Sequence, residues 1–178
     1  MGKSASKHHL QVTEIFKSIQ GEGEDSGKPT TFIRLTGCNL RCSWCDTTYA
    51  YTKGKLLDIA AIVEKVKKLG CLNICLTGGE PLRQKQTTVL LAELKKLGCR
   101  ITVETNGTID ISKFNYVDRF VVDYKLPSAK AKQPFFKKNL KHLRPEDELK
   151  FVIANRKDYK VAKNFIENNS VKAKVIFS

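Results

Sequence analysis

A chain of 178 residues that is 41% hydrophobic and 28% charged can bury one real core without disulfide staples, and it is not of disordered composition. No apolar run reaches the roughly 18 residues needed to cross a bilayer, and residues 1–9 contain no apolar export segment. Thirty-two basic against eighteen acidic residues leave +14, yet the positives are mostly scattered lysines and aromatics are only 8%. A nucleic-acid reader adds guanidinium forks and stacking rings to its charge, so a solvated surface is the favoured reading and nucleic acid is not an expected partner.

The predicted elements alternate between strand and helix. Residues 11–18 read as a first strand, followed by the glycine-rich turn Gln20-Gly21-Glu22-Gly23 and a short apolar strand over 31–35. Asp58 can cap a helix in which Ile59, Ile62, Val63, Val66 and Leu69 recur at helical spacing, closed by Gly70. A strand over 72–76 and a helix over 87–97 come next, then strands over 101–103, 119–122 and 149–153. The segment before the last of these is a weak helix, interrupted at Pro127 and Pro134. A helix over 158–168 and a strand over 171–177 complete the pattern. Short apolar strands separated by helices imply parallel pairing through right-handed crossovers. The fold class expected is α/β, either an open sheet or a partial (βα)6 barrel of mostly parallel strands with an extra N-terminal strand, in one domain over 1–178.

The loops at the strand ends are more informative. Thr36-Gly37 and a cysteine loop come after the second strand, and Thr77-Gly78-Gly79-Glu80-Pro81 after the third. Glu104-Thr105-Asn106-Gly107 and Asp123-Tyr124-Lys125-Leu126-Pro127-Ser128 come after the next two. Parallel α/β folds place their sites at the carboxyl ends of strands, so one sheet edge is the expected active site.

Six cysteines without an export segment point to metal binding or burial rather than to disulfides. Cys38, Cys42 and Cys45 are spaced C-x3-C-x2-C. Structural zinc wants four protein ligands, and His8, His9 and His142 have no zinc-finger spacing to these cysteines. Ordinary four-iron clusters take four cysteines; three would leave one iron open for catalysis. Cys71, Cys75 and Cys99 read as buried thiols.

This cysteine loop after a strand, with the Gly78-Gly79-Glu80-Pro81 loop after the next, resembles the radical S-adenosylmethionine superfamily. Gln20-Gly21-Glu22-Gly23, the run from Phe32 to Cys42, Cys45-Asp46-Thr47, Glu104-Thr105-Asn106-Gly107 and the run from Asp123 to Ser128 resemble the 7-carboxy-7-deazaguanine synthase family within it. The likeness runs from about Gln11 to the last residue. It implies a [4Fe-4S] cluster on Cys38, Cys42 and Cys45, S-adenosylmethionine as cofactor and Mg2+ held by Thr47. It implies conversion of 6-carboxy-5,6,7,8-tetrahydropterin to 7-carboxy-7-deazaguanine, begun by hydrogen abstraction at C6 by a deoxyadenosyl radical and completed with loss of ammonia, on the way to queuosine. Cofactor contacts carried over are Gly78, Gly79, Glu80, Glu104, Asn106 and Ser128; substrate contacts are Gln20, Glu22 and Arg34. A cytoplasmic homodimer and an electron donor such as flavodoxin are also implied. Members of the family continue past the last strand with a further helix and tail, which this sequence does not contain.

Plainer readings stand beside these. Arg34 could be a strand arginine neutralised by Glu14 or Glu22, Asp46-Thr47 a loop cap, and Glu104, Asn106 and Ser128 strand or helix ends. Trp44 reads as a shield for the cluster. A glycyl-radical activating enzyme shares the cysteine loop, and a metal-binding module gripping RNA would use the charge.

Overall fold

The computed structural model describes residues 8–178; residues 1–7, which hold most of the stretch read for an export segment, lie outside the described residues. Eight strands form one sheet: β1 (His9–Ile19), β2 (Pro29–Leu35), β3 (Lys55–Asp58), β4 (Asn73–Gly78), β5 (Arg100–Thr105), β6 (Arg119–Asp123), β7 (Glu148–Phe151) and β8 (Lys174–Phe177). Their spatial order is β3-β1-β2-β4-β5-β6-β7-β8. β2 and β4 to β8 run parallel, while β1 and β3 are antiparallel additions at one edge. This is the expected partial barrel with its N-terminal strand. β3 is an addition that the sequence pattern conceals, because its four residues are exposed or only half-buried.

The helices are α1 (Ile59–Leu69), α2 (Thr87–Lys96) and α3 (Arg156–Glu167). Asp58 caps α1 by accepting from the Ala60 amide, and Gly70 ends it with φ 63°. α3 starts earlier than its apolar spacing suggests, because the Asn155 side chain accepts from the amides of Lys157 and Asp158. The β5–β6 crossover contains only the 3-10 turn Ile111–Lys113. The β6–β7 crossover contains the turns Pro127–Ala129 and Lys137–Lys141, as Pro127 and Pro134 foreshadow. The helical layer is therefore thinner than six βα units would give. Among the described residues no helix is long and apolar enough to cross a membrane.

The two faces of the parallel strands differ. Ile33 and Leu35, Ile74 and Leu76, Ile101 and Val103, Phe120 and Val122, and Leu149 and Phe151 all belong to the buried core, with Ile62, Val66, Leu90, Leu91, Leu94 and Ala162 from the helices. Each such side chain contributes about 1.5–3 kcal/mol by leaving water. The alternate positions carry the polar groups: Arg34, Thr77, Glu104, Asp123 and Lys150 line the concave side, with Phe32 and Val121 among them. Fully covered parallel strands read as nearly continuous apolar runs, so this alternation marks a face that is used.

The β1–β2 connection plugs one end of that concave face. Asp25 accepts from Lys28 Nζ at 2.7 Å and Arg100 Nη1 at 2.8 Å, and Arg119 Nη2 donates to Glu24 at 2.6 Å. The Glu24 amide donates to Glu148 Oε1 at 3.0 Å, and Lys174 pairs with Glu24. Burial opposes ionisation of Asp25, but these cations hold its carboxyl down at about 2. The plug carries Gln20 and Glu22 into the barrel.

Candidate active site

One cavity of about 510 Å³ opens at the carboxyl ends of β2, β4, β5, β6 and β7. Cys38, Cys42 and Cys45 line it together with Gly78, Gly79, Glu104, Asn106, Gln20, Glu22, Arg34 and Thr47. Loops separated by up to about a hundred residues in the chain thus meet around one volume.

The cysteine loop is fixed from both sides. Gly79 presses against it: a Cβ there would lie 2.4 Å from Gly37 O and 2.8 Å from Cys38 Cβ. Gly78 has φ 149°, and a Cβ there would meet Leu35 O at 2.2 Å. On the outer side the Ser43 amide donates to Ala129 O at 2.9 Å, and Ser43 Oγ to Ser128 O at 2.6 Å. Trp44 Nε1 reaches Ser128 Oγ at 3.3 Å, with Lys125 Nζ 4.8 Å from the centre of the indole ring. Arg41 stacks on Tyr51 at 4.1 Å and donates to the carbonyls of Cys38 and Leu40.

The three thiols suit an iron–sulfur cluster. All are free and half-buried. The Leu40 amide lies 3.4 Å and Asn106 Nδ2 3.9 Å from Cys38 Sγ, the kind of donor that stabilises a cluster thiolate. Burial pushes the thiols of Cys38 and Cys42 up, a cost that iron ligation overcomes by displacing the proton outright. Among the described residues no three His, Cys, Asp or Glu groups converge on one ion. A cubane asks for no such convergence, since each thiolate meets its own iron.

The remaining expected contacts divide. Glu104 accepts from Gln20 Nε2 at 3.2 Å and Thr77 Oγ1 at 3.0 Å, deep on the concave wall. Glu22 pairs with Lys150 Nζ at 2.7 Å. Arg34 donates through Nε to Glu14 at 2.7 Å, the partner the plainer reading names, and lies 5.9 Å from the Tyr49 ring. Its terminal nitrogens make no other hydrogen bond among the described residues, and the side chain still lines the cavity. Thr47 Oγ1 donates to Asp46 at 2.7 Å on the same rim.

Glu80 and Ser128 do not line this cavity. Glu80 is fully buried behind it, accepting from the Leu82 amide at 3.0 Å, Thr105 Oγ1 at 2.9 Å and the Asn106 amide at 2.7 Å. Burial raises its carboxyl to about 7 against the pull of those donors. Glu80 therefore positions the β5 loop, and Ser128 ties down the cysteine loop. Thr77 and Asp123, which stand in the strand-end motifs without an assigned role, and Lys150, which stands in none, are also wall residues. The available signal is their place at alternate positions of strands otherwise apolar.

A second cavity of about 460 Å³ adjoins the first, sharing Leu40, Asn106 and Lys125. Tyr124, Phe135 and Phe165 form its aromatic side, with Tyr124 and Phe165 centroids 4.4 Å apart. Its rim includes Lys130, Lys132 and Lys137.

Three thiols on a strand-end loop, facing glycines of the next loop in an open barrel, define a radical S-adenosylmethionine enzyme. The Radical SAM superfamily profile matches residues 32–168. The chain belongs, more narrowly, to the 7-carboxy-7-deazaguanine synthase family. A 7-carboxy-7-deazaguanine synthase of Thermoplasma acidophilum is 41% identical over 160 residues, covering 89% of this chain and 77% of that one. The protein of that name from Koribacter versatilis is 39% identical over 170 residues, covering 93% and 74%. In fold, the crystal structure of QueE from Escherichia coli superposes with a TM-score of 0.81 at 21% identity, over 95% of this chain and 82% of that one.

Proposed function

We propose that this chain converts 6-carboxy-5,6,7,8-tetrahydropterin to 7-carboxy-7-deazaguanine and ammonia. The observation that carries the reading is the single cavity joining the three thiols to a cationic Arg34 and to acceptors on the opposite wall. A cluster held by Cys38, Cys42 and Cys45, with S-adenosylmethionine bound, supplies the one-electron chemistry that starts the rearrangement. Product plus ammonia equals substrate, so the overall change is redox-neutral.

The chain's own groups bind and orient. Arg34 offers its terminal nitrogens to the substrate carboxylate as a two-pronged clamp, while Glu14 holds the guanidinium in place through Nε. Gln20 and Glu22, fixed by Glu104 and Lys150, face the ring nitrogens. Gly78 and Gly79 would let the cofactor approach backbone closely, with Asn106 beside them. Thr47 would offer Mg2+ a hard oxygen ligand.

Reduction by a flavodoxin-type donor fits the charge distribution. Residues 124–145 hold seven bases (Lys125, Lys130, Lys132, Lys137, Lys138, Lys141, Arg144) and no acid, half of the net +14. Hydrogen bonds from Ser43 to the carbonyls of Ser128 and Ala129 hold that segment against the cysteine loop, where an acidic carrier would dock. A homodimer belongs to the same reading through the family likeness. A cytoplasmic setting is supported by six free thiols.

The test is anaerobic reconstitution with iron and sulfide, then incubation with reductant, S-adenosylmethionine, Mg2+ and the tetrahydropterin. Mass spectrometry should find 7-carboxy-7-deazaguanine. Cofactor cleavage without that product would overturn the substrate assignment.

A further inference from the structure

Among the described residues, three buried side-chain atoms have no hydrogen-bond partner: Arg119 Nη1, Asp123 Oδ1 and Glu148 Oε2. Two of them face the plug. Arg119 Nη1 lies 3.3 Å from Asp25 and 3.5 Å from Glu148, and both residues border a space of only about 10 Å³, room for one water at most. Asp123 differs, because it borders the large cavity. Its other oxygen, Oδ2, accepts from Lys125 Nζ at 2.7 Å and lies 3.8 Å from Lys150 Nζ. Those two ammonium groups hold the carboxylate with Oδ2 satisfied and Oδ1 buried in the cavity wall without a donor, so that a small turn of the carboxylate brings Oδ1 to a ligand in the cavity.

A buried anionic acceptor left without a donor is costly, and a ligand N–H that meets it recovers that cost. The walls around it are ordered by charge. Arg34 supplies a cation on β2, while Glu22 and Asp123 flank Lys150 on the far side with carboxylates. A ligand with a carboxylate at one end and an N–H edge at the other complements both. We propose that Asp123 is a specificity-determining residue, its Oδ1 accepting from the guanidine-like edge (the 2-amino group and adjacent ring N–H) of the substrate. The proposal rests on the reading that this cavity takes a carboxylated pterin. Lys150 is then a positioning residue that sets the spacing of Glu22 and Asp123.

The test is equilibrium binding, without turnover, to the cluster-reconstituted chain. Fluorescent 6-carboxypterin is compared with 6-carboxylumazine, in which a carbonyl replaces the 2-amino group. The wild type should prefer the pterin by about ten- to a hundredfold, the range of a hydrogen bond to a charged group. Asp123→Ala should shrink that preference to about threefold or less. Asp123→Asn should do the same, because its amide oxygen turns to the two lysines and its NH2 then faces the ligand's donors. The nearly isosteric Asn variant also guards against a misfolded Ala variant. Unchanged discrimination in both variants, or a wild type that binds the two ligands equally, overturns the proposal. A matching loss of S-adenosylmethionine affinity also overturns it, since Asp123 would then act through Lys125 on the cofactor side. A wild type that binds neither ligand defeats the functional reading itself, which is a different result from unchanged discrimination.

Discussion

Replacing Glu80 with Ala separates two roles for a carboxylate in the glycine-rich loop. Motif likeness makes Glu80 a cofactor contact, whereas the structure buries it completely and gives it to Leu82, Thr105 and Asn106. Removing the carboxylate strands two backbone N–H groups in a dry site, at about 1–3 kcal/mol each. Relief from burying a group whose carboxyl already sits up at about 7 offsets part of this, leaving a net loss of about 3 kcal/mol. For a chain of this length each kcal/mol moves Tm by about 2–4 °C, so the apo variant should melt roughly 6–12 °C lower by circular dichroism. Glu80→Gln keeps the shape but turns an NH2 toward a donor, and should fall between. A variant that melts with the wild type and shows only a raised KM for S-adenosylmethionine would refute this assignment and restore a direct contact.

Gly79→Ala should lower cluster occupancy and slow cofactor cleavage per cluster by about a hundredfold, because a Cβ 2.4 Å from Gly37 O must push the cysteine loop by about an ångström; iron and sulfide analysis with a cleavage assay checks it. Asp25, held down at about 2, gives stability that is complete above its ordinary 3.8 and disappears as pH falls toward 2. The excess urea stability of wild type over Asp25→Asn, about 2 kcal/mol of which comes from this shift, should shrink between pH 5 and pH 2.5. Lys130→Glu with Lys132→Glu should slow cluster reduction by an acidic flavodoxin about tenfold at low salt while leaving dithionite reduction unchanged, as stopped-flow absorbance would show.

The cluster loop was legible because its spacing is local: three thiols within eight residues need no tertiary information. α1 was legible for the same reason, with its Asp58 cap and Gly70 stop flanking an apolar stripe. The features that stayed concealed depend on contacts between distant segments. Glu80 looks like a ligand until Asn106 and Thr105, from the next strand's end, fold over it. Ser128, carried over as a cofactor contact, also accepts from Trp44 and Ser43 of the cysteine loop, contacts that only the folded chain brings together. Lys150 lies in no motif and becomes a wall residue only when Glu22, 128 positions earlier, reaches it. β3 escaped notice because exposed edge strands lack the apolar alternation that announces buried ones.

The central claim is that Cys38, Cys42 and Cys45 leave one iron of their cluster open to S-adenosylmethionine inside the glycine-walled cavity. Electron paramagnetic resonance of the reconstituted, reduced chain tests it without turnover. Adding S-adenosylmethionine should shift the g-values of the reduced cluster, because the cofactor's amino and carboxylate groups enter that iron's coordination shell. A spectrum unchanged by saturating cofactor, in a chain with full iron and sulfide content, would contradict the account.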